Sequence, residues 1–515
     1  MAFVSSGDES LRLCVFDLRR GQIEGEELDK ILFFYPTELD FSTQLSVIGL
    51  SEGLITFTRL FSPEAACEVI EAERHSHIFY EAEPDIWMVM VVEKNKETGA
   101  IWRIDALRRV LKEVHSLFVM FHGSIRALIE KEPTGGLTRS QLYPFITDYL
   151  STFQKRSRSE DCCCDIFVGK KLQLPTFRET LRERGTFQML TIARDTALEV
   201  QSLVQVLDSC TGSLQCLSMI LFQDFLVSTT LSTDDTVNLF TFAVMRLTSN
   251  ALSTGASSWS YLRKGPGSSE ISSRSTSMPF GSIDSLHPGN DNNMHHVIRP
   301  LQNDKWTKGK DGFLITDIWG LETGGSPDSA IPTIWLQQTQ ERVYLLAYQY
   351  NSLTVLLLLP TTAIVSGDLS VSAVKQKVIE DASLKILKIE ERISRGWGGE
   401  NAYHVKGYRY LVVDNGMEVS RASPSGKVAT LSKESLLALN KLREEVDIEK
   451  SHAERQEKDM EICIRAKNKA WVIARVTRDK ELYMALEKAS DTLLDTTDAV
   501  GRFNNRYCSG AFLMD

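Results

Sequence analysis

Residues 30–93 constrain the fold of this chain most strongly, because they read as strand, long helix, strand. Residues 30–36 form an apolar run closed by a proline, and residues 87–92 are apolar throughout, as in a buried strand. The segment between them, Phe41–Phe61, predicts a helix with apolar residues on more than one side. A helix needs only one apolar stripe to cover a sheet. A second stripe therefore indicates a second partner.

The two stripes of this helix can be assigned from a rotation of roughly 100° per residue. We expect one set of residues to form the core face, namely Val47, Leu50, Leu54, Phe57 and Phe61. The other stripe is mostly apolar but carries one acid and one base, which is the composition of an interaction surface. It predicts a contact site for a partner protein, made of Leu45, Ile48, Glu52, Ile55 and Arg59. The alternative is that a later segment of the same chain covers this stripe.

The bulk properties exclude some classes of function. The 515 residues predict about two to four domains, and the net charge of -10 argues against broad affinity for nucleic acid. The start of the chain lacks the pattern of a signal peptide. The longest apolar run, Val355–Leu359, is far shorter than the ~20 residues of a membrane span. We therefore expect a cytoplasmic protein whose membrane contact is peripheral.

Nine cysteines without regular spacing predict reduced thiols. The triplet Cys162, Cys163 and Cys164 could bind a metal, carry palmitate or lie in a plain loop or helix cap; zinc sites prefer a two-residue spacer. His75 and His77 share a strand face, but no third ligand can be predicted. The sequence contains no phosphate-binding loop, dinucleotide fingerprint, nucleophile elbow or zinc-protease motif. These absences favour a protein that acts by binding.

One order of elements recurs along the chain: two strands, a helix, further strands and a closing helix. It predicts domains at 1–170, 171–398 and 399–515, although the three show no sequence identity to one another. The charged stretch 436–465 is interpreted as a helix with a solvated face. In the second domain, residues 250–310 predict a disordered insertion, since 253–285 alone hold twelve serines. Within it, residues 259–262 and 280–283 are aromatic-x-x-aliphatic tetrapeptides of the kind that bind autophagy modifiers, a pattern that also arises often by chance.

Several segments resemble the vacuolar fusion protein Ccz family, the Ccz subunit of the Mon–Ccz complex. The resemblance rests on residues 30–36, on 48–63 with the specific run Phe-Thr-Arg-Leu-Phe-Ser-Pro at 57–63, on 87–92, and near the end on 471–473 and 478–483. It covers both ends of the chain, while the serine-rich insertion has no counterpart.

The resemblance implies an α+β protein of three longin-like domains, each an antiparallel sheet flanked by helices. Family members form an obligate heterodimer with a Mon-type partner. The pair is a guanine-nucleotide exchange factor for a late-endosomal Rab GTPase. That activity promotes endosome maturation, vacuole or lysosome fusion and autophagosome delivery, at late endosomes, the prevacuolar compartment and the vacuole membrane.

Such a subunit needs no cofactor and no catalytic residue of its own, because tight binding of the nucleotide-free GTPase weakens nucleotide binding by linkage. A third regulatory subunit is compatible with this architecture. Two other interpretations stay open: a vesicle-trafficking scaffold or tether without exchange activity, and an enzyme whose site has no sequence signature.

Overall fold

The structure, a computed structural model, describes most of the chain. The described residues are 11–63, 67–93, 104–156, 185–190, 192–212, 216–253, 299–302, 305–316, 331–365, 370–396, 408–422, 433–451, 459–486 and 492–507. The cysteine triplet and both aromatic-x-x-aliphatic tetrapeptides lie outside these ranges.

The first unit, residues 11–156, is a five-stranded antiparallel sheet flanked by helices. Its elements are β1 (Leu11–Asp17), β2 (Ile31–Tyr35), α1 (Phe41–Phe61), β3 (Val69–Glu71), β4 (His75–Glu83), β5 (Ile86–Glu93), α2 (Ile104–His122), α3 (Ile125–Lys131) and α4 (Gly136–Arg156). A short 3-10 turn, Glu27–Lys30, precedes β2. The strand order across the sheet is β2-β1-β5-β4-β3.

The second unit follows a short strand, β6 (Phe187–Gln188). It contains α5 (Arg194–Ser209), β7 (Leu217–Phe222), β8 (Phe225–Thr229), α6 (Thr233–Arg246), β9 (Trp306–Lys308), β10 (Leu314–Thr316), β11 (Thr333–Leu336), β12 (Glu341–Tyr350), β13 (Leu353–Pro360), α7 (Thr361–Val365), α8 (Val371–Lys377) and α9 (Ser383–Gly396), with a π-helical turn, Val378–Ala382, between the last two. Its main sheet has the order β11-β12-β13-β7-β8, and β9 and β10 form a separate hairpin.

The third unit, residues 408–507, has the same plan. Its elements are β14 (Tyr408–Asp414), β15 (Val419–Ala422), α10 (Lys433–Ser451), β16 (Met460–Arg465), β17 (Trp471–Val476), β18 (Lys480–Leu486) and α11 (Leu493–Tyr507). The sheet order is β16-β17-β18-β14-β15-β6. We number the five strands of each main sheet along the chain and leave out β6, β9 and β10. All three sheets then have the order 2-1-5-4-3, with a helix between the second and third strands. The predicted α+β class with three helix-flanked antiparallel sheets is confirmed.

Alternation along the strands of the first sheet divides its side chains between two cores. On β1, Leu13 and Val15 face one core, whereas Cys14 and Phe16 face the other. The first of these cores is continuous with the second unit: α2 lies against β4, β11 and α6, and the rings of Phe121 and Phe242 meet edge to face at 4.9 Å. The helix α1 covers the opposite face, on the side of the sheet that points away from the second unit.

The segment 185–190 joins the second and third units. Phe187 donates its backbone N–H to the carbonyl of Glu418, and β6 pairs in parallel with β15. Three residues after Phe187, Leu190 donates its backbone N–H to the carbonyl of Leu226 on β8. Residues assigned from the sequence to the second domain therefore complete the sheet of the third.

Two predictions about chain segments are wrong in part. The stretch 436–465 is not one helix, because α10 ends at Ser451 and residues 460–465 form β16. The insertion predicted at 250–310 is ordered at its ends, while its middle, 254–298, lies outside the described residues. Leu301 is fully buried, and its N–H donates to the Asp148 carboxylate at 2.8 Å. Leu301 and Trp306 belong to the core shared with the first unit, and Leu252 packs against it.

Candidate functional site

The helix α1 is fixed at its start by a cap and on one face by the first sheet. Asp40 accepts hydrogen bonds from the backbone N–H and the hydroxyl of Thr43, at 3.0 and 2.6 Å. These bonds satisfy helix-terminal donors and hold the pKa of Asp40 below its usual value. The helix bounds, Phe41–Phe61, are those predicted from the sequence.

The buried face of α1 is not the one that the sequence predicted. It consists of Gln44, Val47, Ile48, Ser51 and Ile55, packed over a cluster from the sheet that includes Cys14, Phe16, Trp87 and Val89. Burial raises the pKa of the Cys14 thiol to about 12, so this cysteine is an inert part of the core.

The predicted contact stripe therefore lies against the sheet. Ile48 and Ile55 are both 0% exposed, and Leu45 is half-buried beside them. Glu52 forms an ion pair with Lys30, with 2.7 Å between the Glu52 Oε2 and the Lys30 Nζ. Arg59 pairs with Glu81 at 3.0 Å and lies over the ring of Trp87. These five residues hold the helix on its own domain, and the assignment of Ile48 and Ile55 to a partner surface is wrong.

The error has a physical cause. The buried row includes Gln44 and Ser51, which are polar and belong to neither predicted stripe. Each satisfies its donor locally: the Gln44 amide donates to the Leu39 carbonyl at 2.7 Å, and the Ser51 hydroxyl donates to the Val47 carbonyl at 2.9 Å. The Oε1 of Gln44 has no hydrogen-bond partner among the described residues, but the bonded donors limit the cost of burying the two side chains. The core stripe therefore need not be the most apolar one.

The exposed face of α1 is the candidate functional site. Its large side chains are apolar: Leu50, Phe57, Leu60 and Phe61, each 54–76% exposed. We call this set the α1 apolar face. It contains Leu50, Phe57 and Phe61 of the predicted core; of the other two predicted core residues, Val47 is buried and Leu54 is half-buried. An apolar surface on successive helical turns is typical of a protein-binding site.

Two glycines extend the α1 apolar face. Gly49 and Gly53 are exposed, and a Cβ atom built on either would meet nothing within 4 Å. No side chain covers the helix backbone at these two positions, so a partner helix or strand could approach it closely beside Leu50. Beyond the glycines, the rings of Phe57 and Phe61 contact each other with centroids 4.9 Å apart. The face thus combines large apolar side chains with a shallow groove.

A second candidate site is a polar cavity of about 230 Å³ where the three units meet. It is lined by α2, α6 and the turn after β14, through residues that include Arg109, Lys112, Asp234, Asn415 and Glu418. Burial, with the nearby Asp234 carboxylate, raises the pKa of Glu418. The charges in this cavity are mixed. Mixed charges of this kind are as consistent with packing between the units as with a ligand-binding site.

Neither a membrane span nor a metal cluster is found in the part of the chain that the structure describes. None of its helices is long and apolar enough to cross a bilayer, and no three His, Cys, Asp or Glu side chains converge on one point. His75 and His77 lie on one strand, β4, as predicted, and both are half-buried.

Comparison with known proteins identifies the family. Residues 12–123, which comprise the first sheet with α1 and α2, match the model of the first longin domain of INTU, CCZ1 and HPS4. The chain is 88% identical to vacuolar fusion protein CCZ1 homolog A of Arabidopsis thaliana over the full length of both. It is 55% identical to the CCZ1 homolog of Oryza sativa subsp. japonica over 99% of each chain, and 22% identical to that of Xenopus tropicalis over 98% of this chain and 97% of the other. The resemblance drawn from the sequence is confirmed, and the chain belongs to the vacuolar fusion protein CCZ1 family.

Proposed function

We propose that this protein is one subunit of a heterodimeric guanine-nucleotide exchange factor, that its partner is a Mon-type longin protein, and that the pair activates a late-endosomal Rab GTPase. The proposal extends the family assignment, since its relatives are named as vacuolar fusion proteins. It places the protein in endosome maturation, vacuole fusion and autophagosome delivery, recruited peripherally to late endosomes, the prevacuolar compartment and the vacuole membrane.

The observation that carries the proposal is the α1 apolar face. Four large apolar side chains on one helix face, between Leu50 and Phe61, are costly to leave in water. The face lies on the side of the first sheet opposite the second unit, so the rest of the described chain leaves it accessible. A surface of this kind suits a stable protein partner. We therefore infer that α1 supplies the contact through which the pair forms and the GTPase is bound.

The proposed activity requires binding alone. A GTPase holds its nucleotide and magnesium through switch loops that have more than one conformation. A protein that binds the nucleotide-free conformation more tightly lowers nucleotide affinity by the same factor. The protein would therefore act as a regulatory subunit without catalytic chemistry. The α1 apolar face could also admit a third regulatory subunit beside the partner.

The isolated chain should be a poor exchange factor, because half of the binding platform would be missing. The test is release of a fluorescent guanine nucleotide from a late-endosomal Rab GTPase, measured with the chain alone, with the Mon-type partner alone and with the co-purified pair. The proposal expects rapid release only with the pair. Full activity from the chain alone would refute the requirement for a partner.

A second function, a scaffold or tether for vesicle proteins, uses the same apolar face and is separated by the same assay. A tether would bind the partner and the GTPase in a pull-down but leave the rate of nucleotide release at its intrinsic value. An enzyme with its own chemistry has less support, because the sequence contains no phosphate-binding loop, dinucleotide fingerprint, nucleophile elbow or zinc-protease motif.

A further inference from the structure

The edge strand β16 of the third sheet has features that differ from those of the other sheet edges. It is six residues long, whereas the other edge strands described, β2, β3, β6, β8 and β11, have two to five. Its pairing with β17 runs in unbroken antiparallel register from Met460 to Arg465. Every second residue of such a strand directs its N–H and C=O outward, away from the pairing already made.

Proteins usually protect a long edge strand with lysine, proline, a bulge or a covering element. The sequence of β16, Met-Glu-Ile-Cys-Ile-Arg, contains no lysine or proline, and its register contains no bulge. Its acid, Glu461, forms an ion pair with Arg475 on the neighbouring strand. The topologically equivalent strand of the second unit, β11, lies against α2 of the first unit. In β16 every residue keeps some exposure to solvent.

A groove runs beside this edge. One wall is the α10 row Lys441, Glu445 and Glu449, spaced four residues apart, and the other is β16 itself, with Asp459 at its start. The groove has a volume of about 570 Å³. Along its floor lie Met460, Ile462 and Ile464, half-buried side chains that pack toward α10. Alternate apolar residues on an edge strand, next to a helix, are the arrangement by which domains bind an added peptide strand.

We propose that β16 and α10 form a docking groove for an extended segment of a protein partner in which aliphatic and basic side chains alternate. Main-chain pairing with β16 gives the affinity. Successive side chains of the added strand point to opposite faces of the sheet. The basic ones lie on the α10 side, where their aliphatic stems cover Ile462 and Ile464 and their charges face Glu445 and Asp459, and the aliphatic ones lie on the other side, beside Cys463. The inference is independent of the proposed exchange activity.

The charge of the groove selects this occupant over a second copy of the chain. Acidic side chains outnumber the single lysine, Lys441, along its walls. Two copies paired edge to edge would bring these acids together, and like charges across an interface disfavour association. A basic segment is instead attracted to these acidic side chains, because its charges have the opposite sign.

The experiment uses the full chain and a fluorescent peptide of about the length of β16, in which valine alternates with lysine. A control peptide has the same side chains but carries N-methyl groups on the amides that would pair. Binding is followed by anisotropy, and hydrogen–deuterium exchange locates it. The proposal expects saturable binding of the first peptide alone, with slower exchange of amides in residues 460–465.

Two matched protein variants complete the test. Glu445→Lys should weaken binding of the lysine peptide by roughly tenfold. Asp498→Lys, the same charge change on the exposed side of α11, should leave binding unchanged. Equal binding of the N-methylated peptide, an equal effect of the two variants, or no binding at all would each overturn the proposal.

Discussion

The guanidinium carbon of Arg59 lies 5.4 Å from the centroid of the Trp87 ring. The same guanidinium pairs with Glu81 at 3.0 Å and with Asp85 at 3.7 Å. Arg59 therefore joins the C-terminal half of α1 to the hairpin of β4 and β5. A residue that the sequence assigns to a partner instead stabilises its own domain.

Replacing Arg59 by alanine should lower the free energy of unfolding by about 1–2 kcal/mol, from the lost ring contact and a partly exposed ion pair. Partner affinity should stay close to that of the wild type. Thermal melting and a pull-down measure the two effects. Arg19→Ala, which removes the pairing of a more exposed arginine with Asp85, is the control and should cost less. Loss of partner binding without a change in melting would contradict this role.

Ile48 and Leu50 lie two residues apart on α1 and face opposite environments, at 0% and 54% exposure. Ile48→Asp should destabilise the first unit by roughly 4 kcal/mol, because it places a carboxylate in the core. Leu50→Asp should change stability by less than about 0.5 kcal/mol, as expected for a surface position. Thermal melts of the two variants measure the difference. Similar melting losses in both would show that the chain itself buries Leu50.

Replacing a glycine of the α1 apolar face by alanine should increase the stability of the protein but decrease its affinity for the partner. Gly53→Ala should stabilise the helix by about 0.5–1 kcal/mol, since alanine is the better helix former and nothing obstructs its Cβ. The same methyl group should weaken partner binding by preventing close approach to the backbone. Gly501→Ala, the same change in α11, where a Cβ atom also meets nothing within 4 Å, serves as a control and should leave binding unchanged. A stabilised variant with unaltered affinity would show that the groove is not used.

The buried His122 should make the core shared by the first two units sensitive to acid. Burial, together with the nearby Arg342, lowers the pKa of His122 to about 3. Its ring stacks on Phe118 at 4.8 Å. The folded state therefore keeps this histidine neutral, whereas the unfolded chain binds a proton below the usual pKa of about 6.5. The stabilising contribution is complete above that pH and is lost as the pH falls toward 3.

Between pH 7 and pH 5 this difference amounts to roughly 2 kcal/mol. Melting temperatures at the two pH values should fall for the wild type and change much less for His122→Phe. An equal fall in both proteins would assign the acid sensitivity to other groups.

The sequence predicted the elements better than the faces they bury. Local signals were sufficient for α1, where the Asp40 cap and Pro63 define the ends. They were also sufficient for the strand at residues 87–92, which are apolar throughout. The repeated order of elements was visible without sequence identity, and the shared 2-1-5-4-3 strand order gives it a structural basis.

The wrong predictions concern features that tertiary contacts determine. Both stripes of α1 are apolar, and the helix buries the one whose polar members, Gln44 and Ser51, can bond internally. The strand β16 was missed because it follows a charged helix, although Met460, Ile462 and Ile464 alternate as in a half-buried strand. Residues 187 and 188 join a sheet formed more than 200 positions later, a pairing that no local pattern could indicate.

The proposed function requires that the protein binds its partner and the GTPase through the α1 apolar face. The most direct test is the rate of nucleotide release from a late-endosomal Rab GTPase, measured with the Mon-type partner and either the wild-type chain or the double variant Leu50→Asp/Phe57→Asp. The account predicts that the variant melts like the wild type but that release returns to the intrinsic rate of the GTPase. Release at the wild-type rate by the well-folded variant would contradict it.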